Sequence, residues 1–447
     1  MKARRLIVVV LIAVVASLGI ISTSLAAHSN FAPIPQTTTI PMLPGATTQP
    51  IKVARGYQEY PHVECNVATY TDFDDEMGTE SIKYFDFATN TEHVVPGNGL
   101  EFLADTDGRR IAFTRIDVSG TEPVNRIAIY DIPSQTTTDI PVQGMDPSIG
   151  GNLIAFEHGR FEGPTSQIYV HDLNTGTLTQ LTNDALLNRD PEVSSDGSVI
   201  VWQKCQLDGK GCDIYSATQT GPGVFTAPRL LTGAGEDWYP HTNGQFVVYT
   251  SDKSGENDVY FQRVGGSSEM HLSIPDEQYD PHISGNAIVF VSRVPMSTYG
   301  NSEIFLYDLS TARLYQATNT GGAAYYADVV AGCDGVDRIV YMAFGPYGDW
   351  DVHQLTFQLR DSVNDQLNDL IALVQSFNLH DGTEASLITK LQDAIAAVNA
   401  SATATACDSL TAFINASQAQ SGKKLTADQV KQLVNAAAQI KSDLGCQ

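Results

Sequence analysis

Five polar residues each follow a proline directly: His62, Ser148, Glu192, His241 and His282. Three imidazoles and a carboxylate are ligands that suit divalent metals such as Mn, Fe, Zn or Ni. The same side chains could instead line a wet tunnel and bind only water or a small polar ligand. Either role requires the fold to bring the five residues together, so the surrounding elements decide the question.

The segments around these residues are copies of one unit. Each copy has a short strand, a Gly/Asn/Asp turn and an apolar strand. The copies with proline are "YPHVECNVATYTD" from Tyr60, "MDPSIGGNLIAFEH" from Met145, "RDPEVSSDGSVIVWQ" from Arg189, "WYPHTNGQFVVYTS" from Trp238 and "YDPHISGNAIVFVS" from Tyr279. Looser copies without proline are "LADTDGRRIAFTR" from Leu103 and "YADVVAGCDGVDRIVYMA" from Tyr326. The last four prolines are spaced by 44, 49 and 41 residues, which matches a four-stranded propeller blade of roughly 40–50 residues.

A second module follows each copy. It reads, for example, "QIYVHDLNTG", "DVYFQRVGG" and "EIFLYDLSTA", an alternation that predicts a half-buried strand ending in a turn. "TLTQLT" and "RLYQAT" then supply a fourth strand. Seven such units predict a mainly β protein with a seven-bladed β-propeller over residues 49–358. A six-bladed ring is the alternative, because the first two units are irregular.

The last unit lacks an obvious fourth strand. "QPIKVAR", residues 49–55, stands just ahead of the first unit, where such a strand would be available. We therefore predict that this N-terminal strand completes the last blade and removes the open sheet edge. In a closed ring the residue after the proline faces the central channel, so His62, Ser148, Glu192, His241 and His282 should converge there.

The six cysteines predict three disulfides. Cys205 and Cys212 bracket the turn-rich "QLDGKG" and should link one hairpin, while Cys407 and Cys446 both lie in the C-terminal segment. Cys65 and Cys333 remain, and both fall at the first turn of the units that ring closure makes neighbours. Zinc binding by cysteine is disfavoured because the sequence has no CxxC pair.

The N-terminus predicts export. Lys2, Arg4 and Arg5 precede an apolar run over residues 6–21, and Ala26 ends a small-residue cleavage site. We expect a signal peptide over residues 1–26 and a disordered linker over 27–48, with an uncleaved anchor as the alternative. Disulfides also fit an oxidising compartment, so a secreted or periplasmic location is expected.

The composition is strongly acidic. The formal net charge is −25, and removal of residues 1–26 would make it −28. Such a surface repels nucleic acid and anionic membranes, which excludes both as partners. No later apolar run has membrane length, and a monomer is expected.

From residue 361 the period changes from two to that of a helix. Leu367, Leu370, Ile371, Val374 and Phe377 fall on one helical face. Three further helical segments follow, the last with Thr426 as its predicted N-cap. Residues 361–447 therefore predict a small helical bundle.

Two family resemblances accompany these patterns. "SDKSGENDVY" (residues 251–260) and "LTNDALLNRDPEVSSDGSVIVW" (residues 181–202) resemble the repeat of TolB-type propellers, over about residues 50–357. The tail, with "SLITKLQDAIAAVN" and "ACDSLTAFINASQAQSGKKLTADQVKQLVNAAAQI", resembles the FIMAH domain. The first resemblance implies the propeller fold but no particular chemistry. The second implies an extracellular accessory domain of secreted bacterial proteins with no established catalytic activity.

Two functional hypotheses follow. The first is an exported, non-catalytic binding or scaffold protein that recognises an envelope protein or glycan and needs no cofactor. Trp238, Tyr239, Tyr347 and Trp350 lie near turns and could stack on a sugar or anchor such a partner. A propeller-bearing serine peptidase is excluded, because the sequence has no G-x-S-x-G pentapeptide.

The alternative hypothesis is a metal-dependent polysaccharide lyase. Oligogalacturonate lyases are seven-bladed propellers with a histidine-based metal site, and this chain is similar to them in expected architecture only. His62, His241 and His282 would be the metal ligands in that case.

Overall fold

The computed structural model describes residues 40–446, except 75, 121, 160–164, 273, 294–301, 322, 360–362, 378, 380 and 401. The predicted signal peptide and residues 27–39 of the predicted linker lie outside this part of the chain. Within it, the period-two segments form 29 strands and the C-terminal segment forms four helices.

The first strand, β1 (Thr47–Lys52), precedes seven antiparallel sheets, which we number as blades in chain order. Blade 1 contains β2 (Tyr57–Glu64), β3 (Val67–Asp74), β4 (Thr79–Asp86) and β5 (Thr91–Val94). Blade 2 contains β6 (Glu101–Thr106), β7 (Arg110–Asp117), β8 (Val124–Asp131) and β9 (Thr136–Gln143). Blade 3 contains β10 (Met145–Gly150), β11 (Leu153–His158), β12 (Gln167–Asp172) and β13 (Leu178–Gln180).

Blade 4 contains β14 (Leu187–Val193), β15 (Val199–Cys205), β16 (Asp213–Gly221), β17 (Val224–Phe225) and β18 (Arg229–Leu230). Blade 5 contains β19 (Asp237–Thr242), β20 (Phe246–Ser251), β21 (Asp258–Arg263) and β22 (Glu269–His271). Blade 6 contains β23 (Gln278–Ser284), β24 (Ala287–Arg293), β25 (Ser302–Asp308) and β26 (Arg313–Gln316). Blade 7 contains β27 (Ala324–Val330), β28 (Asp337–Phe344) and β29 (Trp350–Phe357), with β1 paired to β29.

The first strands of the seven blades adjoin one another in a closed circle. Strand β2 contacts β6 on one side and β27 on the other, and the same neighbour relation continues through β10, β14, β19 and β23. These strands surround a central channel. The seven-bladed prediction is therefore confirmed, and the six-bladed alternative is wrong.

Apolar side chains fill the spaces between successive blades. Between blades 2 and 3, for example, Ile127 of β8 packs in one buried cluster with Ile149 of β10 and Phe156 of β11. Successive side chains along a strand point to opposite faces of the sheet, so each layer between blades receives every second residue. The apolar residues of the repeat therefore recur at every second position. The core is thus a ring of interfaces around the channel.

The ring closes where β1 pairs antiparallel with β29, as the unpaired N-terminal strand predicts. Asp349 and Asp351 in blade 7 fix the chain that follows β1: their carboxylates accept hydrogen bonds from the N–H groups of Gly56 at 3.0 Å and Ala54 at 3.2 Å. Closure makes blades 1 and 7 neighbours, although they lie at opposite ends of the propeller sequence. We call this junction the seam.

The seam has a small apolar core, in which Val63 and Ala68 of blade 1 meet Val330 and Val340 of blade 7. The Cys65–Cys333 disulfide spans it, with a Cα–Cα distance of 5.0 Å. The other pairs are Cys205–Cys212 and Cys407–Cys446, so all three predicted pairings are present. Covalent linkage therefore supplements packing where the ring joins.

The part of the predicted linker that the structure describes is ordered. Leu43 is buried in the layer between blades 6 and 7, and its N–H donates to the Gln316 carbonyl of β26 at 2.8 Å. Thr47 and Thr48 already belong to β1. Disorder over residues 40–48 is thus a wrong prediction, because Leu43 offers an apolar side chain that the blade surface can bury.

Every innermost strand carries a β-bulge next to the channel. One residue in each bulge adopts a left-handed conformation, with φ between 44° and 56°. These residues are Tyr60, Leu103, Asp146, Asp190, Tyr239, Asp280 and Tyr326. A bulge turns an N–H out of its own sheet, so this group needs a partner elsewhere.

The preceding blade provides that partner. The N–H of Asp146 donates to Thr114 Oγ1 on β7 at 3.0 Å, and that of Asp280 donates to Thr250 Oγ1 on β20 at 3.2 Å. Leu103, Asp190 and Tyr239 have equivalent bonds to Thr71, Glu157 and Gln203. The second strand of one blade thus positions the channel-lining strand of the next.

The C-terminal segment contains α1 (Val363–Ser376), α2 (Asp381–Asn399), α3 (Thr403–Ala419) and α4 (Ala427–Asp443). Leu367, Leu391, Phe413 and Leu433 share one buried apolar core. Thr426 caps α4 in a capping box with Gln429, as predicted. Among the described helices, none combines the length and the hydropathy that a membrane span requires.

We predict that removal of the seam disulfide destabilises the propeller more than removal of the hairpin disulfide. Cys65 and Cys333 are 268 residues apart, whereas Cys205 and Cys212 are 7 apart. Loop-closure entropy gives about 5 kcal/mol for the long loop and about 2–3 kcal/mol for the short one. Urea denaturation of the two double Ser variants measures this difference. Equal losses would show that the seam holds without its cross-link.

We also predict that Thr114→Val loosens the bulge of β10. Valine keeps the volume of the buried threonine but leaves the Asp146 N–H without its acceptor, at a cost of about 1–3 kcal/mol. Thr114→Ser keeps the hydroxyl and serves as the control. Hydrogen exchange should accelerate at the Asp146 amide in the valine variant and stay slow in the serine variant. Slow exchange in both variants would contradict the role of the hydroxyl.

Candidate functional site

Seven side chains, one from each innermost strand, surround the middle of the channel. We call them the inner ring: His62, Asp105, Ser148, Glu192, His241, His282 and Asp328. Each lies two residues after a left-handed bulge residue. The ring contains all five residues that the sequence singled out, together with two aspartates that it did not.

Asp328 is the centre of one half of the ring. Its Oδ1 accepts from His282 Nδ1 at 3.0 Å, and His62 Nδ1 lies 3.6 Å from its Oδ2. His62 Nδ1 also lies 3.7 Å from Asp105 Oδ1. Two imidazoles and two carboxylates therefore form a continuous charged network across blades 6, 7, 1 and 2.

The network fixes the protonation of its members. Burial alone would lower the pKa of His62, but the contact with Asp328 and the charges of Asp105 and Glu192 raise it to about 10. Burial would also lower the pKa of His282, but the hydrogen bond to Asp328 and the charges of Asp328 and Asp280 raise it. Burial would raise the pKa of Asp328, yet its two histidine partners hold it well below its usual value. This half of the ring therefore consists of ion pairs.

His241 has a different environment. Its Nδ1 accepts a hydrogen bond from the backbone N–H of Ile283 at 3.2 Å, which places the ring proton on Nε2. Nε2 lies 3.7 Å from Glu192 Oε2, and the ring centroid lies 4.5 Å from that of His282. Burial, together with the charge of His282, lowers the pKa of His241 to about 3. His241 is therefore a neutral imidazole.

Glu192 and Ser148 complete the ring on the opposite side. Ser148 Oγ donates to Glu192 Oε2 at 2.9 Å and accepts from the Val193 N–H at 3.0 Å. Burial, reinforced by the charge of Asp105, raises the pKa of Glu192 to about 8. A carboxyl group with this pKa is largely protonated at pH 7, so this side of the ring adds little negative charge.

The left-handed bulge residues form a second ring near the start of the innermost strands. We call it the mouth ring: Tyr60, Leu103, Asp146, Asp190, Tyr239, Asp280 and Tyr326. The tyrosines 239 and 326 are 51% and 43% exposed, which leaves their rings available to a ligand. Tyr60 and Tyr326 touch edge to face, with centroids 5.2 Å apart.

Carboxylates gather on one side of this mouth. Asp146, Asp190 and Glu157 offer oxygens that all lie within 4.8 Å of one another. Burial, followed by the charge of Asp146, raises the pKa of Asp190 to about 8, and burial with the charge of Asp190 raises that of Glu157. Arg189 is the cation that acts against both shifts, and it does not cancel them. The cluster is thus short of positive charge.

Aromatic rings extend outward from the mouth along blade 7. Tyr325, next to Tyr326, packs edge to face on Trp350 at 5.0 Å, and Trp350 packs on Phe344 at 5.3 Å. Phe344 is 41% exposed. We call Tyr325, Tyr326, Phe344 and Trp350 the aromatic row.

Two other predicted aromatics have separate positions. Tyr347 is exposed in the turn between Phe344 and Trp350, and it lies under the Arg55 guanidinium. Trp238 instead packs beside the Cys205–Cys212 disulfide.

Two cavities differ in what they can hold. The channel space bordered by the inner ring measures about 30 Å³, room for a water molecule or an ion. A larger pocket of about 370 Å³ lies between the turns of blades 3 and 4. Its carboxylates Asp172 and Asp196 accept hydrogen bonds from backbone N–H groups of their own turns, so they serve those turns.

The sequence signal for Asp105 and Asp328 was present but weaker. In the looser copies Ala104 and Ala327 replace the proline, and each aspartate stands where the other copies have their channel residue. Alignment of all seven copies, without requiring proline, places both in the ring. The mouth-ring residues stand two positions before the inner-ring residues in every copy, but their exposure depends on left-handed bulges that no glycine indicates.

The comparisons with known proteins agree with this fold. No family model matches the chain. The protein TolB homolog of Chlorobaculum tepidum is 29% identical over 126 residues, which is 28% of this chain and 28% of that protein. The matched stretch thus spans little more than a quarter of the relative.

Solved structures give longer but weaker likenesses. A puromycin-hydrolyzing peptidase of Mycobacterium tuberculosis is 16% identical, with a TM-score of 0.51, and the match covers 71% of this chain and 54% of that one. The Pyrococcus horikoshii acylaminoacyl peptidase is 13% identical, with a TM-score of 0.50, over 68% of this chain and 52% of that one. Identities this low support the fold alone. The chain therefore carries a seven-bladed, TolB-like β-propeller followed by four helices.

Proposed function

We propose that this chain is an exported, non-catalytic binding protein whose propeller recognises a positively charged segment of an envelope protein at the mouth ring. The observation that carries the proposal is the cluster of Asp146, Asp190 and Glu157, in which Glu157 is buried, the aspartates are half-buried and Arg189 supplies only part of the counter-charge. A partner's lysine or arginine would supply that charge. Charge-assisted hydrogen bonds of this kind are among the strongest that proteins form.

The aromatic side chains support the same partner. Tyr239 lies beside Asp190, and Tyr326 lies elsewhere on the mouth ring against Tyr60. Both tyrosines are exposed, so a guanidinium can stack on them. The aromatic row extends this surface over blade 7. Tyrosine, tryptophan and arginine dominate the residues that anchor protein interfaces, and a polar rim around them is typical.

The ligand would stay at the mouth. The channel space of about 30 Å³ at the inner ring is far below the roughly 300–1,000 Å³ of pockets that enclose small molecules. A space of this size accommodates an ion or a water molecule and does not enclose a sugar ring. The proposal therefore places recognition on one face of the propeller.

The same features weigh against the two other hypotheses. A neutral glycan could stack on the tyrosines but would leave the carboxylates without counter-charge. A polyuronate, the substrate type of an oligogalacturonate lyase, would add negative charge beside a cluster in which the pKa values of Asp146, Asp190 and Glu157 are already raised. Both features favour recognition of a protein over recognition of a glycan.

The proposal includes export of the chain and an accessory role for the helical bundle of residues 361–447. The three disulfides are consistent with an oxidising compartment, as the predicted signal peptide requires. The FIMAH resemblance of residues 361–447 would make the bundle an extracellular accessory. Arg313 of β26 pairs with Asp369 of α1 at 3.0 Å, one contact between the two domains.

We expect a labelled peptide of alternating arginine and glycine to bind the intact chain and to bind more tightly as pH rises. Asp190 has a pKa of about 8, so its carboxylate becomes available to the cation as pH increases through that value. The groups that face it are Asp146, Glu157, Arg189, Tyr239 and Asp280. Fluorescence anisotropy between pH 6.5 and 9 measures the change.

Asp190→Asn should weaken this binding by about 10–100-fold, the loss of one charged hydrogen bond. Tyr326→Ala should weaken it too. Asp393→Asn, which removes the same charge from an exposed position on α2, is the matched control and should have no effect. An equal loss of peptide binding in the Asp393→Asn control would show that the effect reflects the net charge of the chain and not the mouth ring. Binding of a neutral oligosaccharide in place of the peptide would favour glycan recognition.

The export prediction has its own measurement. Mass spectrometry of the protein recovered outside the cytoplasm should give Ala27 as the N-terminal residue. Retention of residues 6–21 in a membrane fraction would show an uncleaved anchor instead. A full-length chain in the cytoplasm would contradict export.

A further inference from the structure

We infer that His62, His282 and Asp328 bind one first-row divalent metal ion inside the propeller channel. This inference concerns the inner ring and is independent of the proposed recognition at the mouth. It replaces the three-histidine set that the sequence indicated, because the structure groups two histidines with an aspartate.

The distances fit a single ion. His282 Nδ1 lies 3.0 Å from Asp328 Oδ1, and His62 Nδ1 lies 3.6 Å from Asp328 Oδ2. Ligands about 2.0–2.1 Å from a tetrahedral metal lie about 3.3–3.4 Å from one another. The three groups also place one ligand atom each within 4.8 Å of the others, so small rotations suffice to enclose an ion.

Backbone groups hold the carboxylate in position. Asp328 Oδ2 accepts from the Val63 N–H at 2.8 Å across the seam, and its Oδ1 accepts from the Val329 N–H at 2.7 Å. A carboxylate fixed on both oxygens cannot turn away from its two histidines. Such outer contacts are what orient metal ligands in proteins.

An outer contact exists for one histidine as well. His282 Nε2 lies 3.9 Å from Asp280 Oδ1, so the ring nitrogen that would not bind the metal faces a carboxylate. This distance is longer than a hydrogen bond, and a small rotation of the ring would bring the pair to the donor–acceptor distance that is common for histidines at metal sites. Asp105, 3.7 Å from His62 Nδ1, adds negative charge beside the site.

His241 does not join this set. Its Nδ1 already accepts from the Ile283 N–H, and its proton therefore occupies Nε2, so neither nitrogen offers a free lone pair. This distinction provides a matched control: His241→Gln keeps an acceptor for the backbone and removes the imidazole. The space of about 30 Å³ at the ring holds an ion and excludes larger ligands.

Zinc binding to the full chain, produced without a polyhistidine tag, tests the inference. Elemental analysis after dialysis against Zn²⁺ should give one ion per chain, and calorimetry should give one class of site. His62→Ala and His282→Ala should each lose this zinc, whereas His241→Gln should retain it. Ca²⁺ should not compete, because imidazole suits zinc and calcium prefers oxygen ligands.

Circular dichroism establishes that each variant is folded, and His62→Asn and His282→Asn replace any alanine variant that is not. Absence of stoichiometric zinc in the wild type would overturn the site. Equal zinc loss in His241→Gln would overturn the choice of ligands. Asp190→Asn, which should weaken arginine-peptide binding, should keep the zinc, so the two proposals fail separately.

Discussion

Closure of the ring is the constraint on which the other features depend. Strand β1 satisfies the open edge of β29, and only then do blades 1 and 7 become neighbours. That contact lets the Val63 N–H reach Asp328 across the seam. Without it, the inner ring would lack the join between His62 and Asp328, and the apolar layer at the seam would be exposed.

Hydrogen bonds between successive blades position the strands that line the channel. Five of the seven bulges donate an N–H group to a polar side chain on the preceding blade, as Asp146 does to Thr114. Inner-ring side chains repeat the pattern: Ser148 accepts from the Val193 N–H of the next blade. Because buried N–H groups must be paired, these bonds fix the angle between blades as well as the positions of the channel residues.

The sequence predicted the fold better than the site. Periodicity and spacing indicated seven blades, and the unpaired segment at residues 49–55 indicated closure and hence the Cys65–Cys333 pair. Asp328 lies outside the proline pattern, because Ala327 replaces the proline, although its carboxylate occupies the same repeat position. The sequence could not show which channel residues form one site. Whether His241 acts as a metal ligand or as a hydrogen-bond acceptor depends on the Ile283 N–H of another blade.

The two rings differ in charge balance, and this difference separates their proposed roles. In the inner ring, His62 and His282 both lie against Asp328, so this network balances its own charge. At the mouth, Arg189 offsets the charges of Asp190 and Glu157 only in part. Burial makes each missing charge costly. The mouth therefore favours a positively charged ligand from outside, while the inner ring can complete its balance alone.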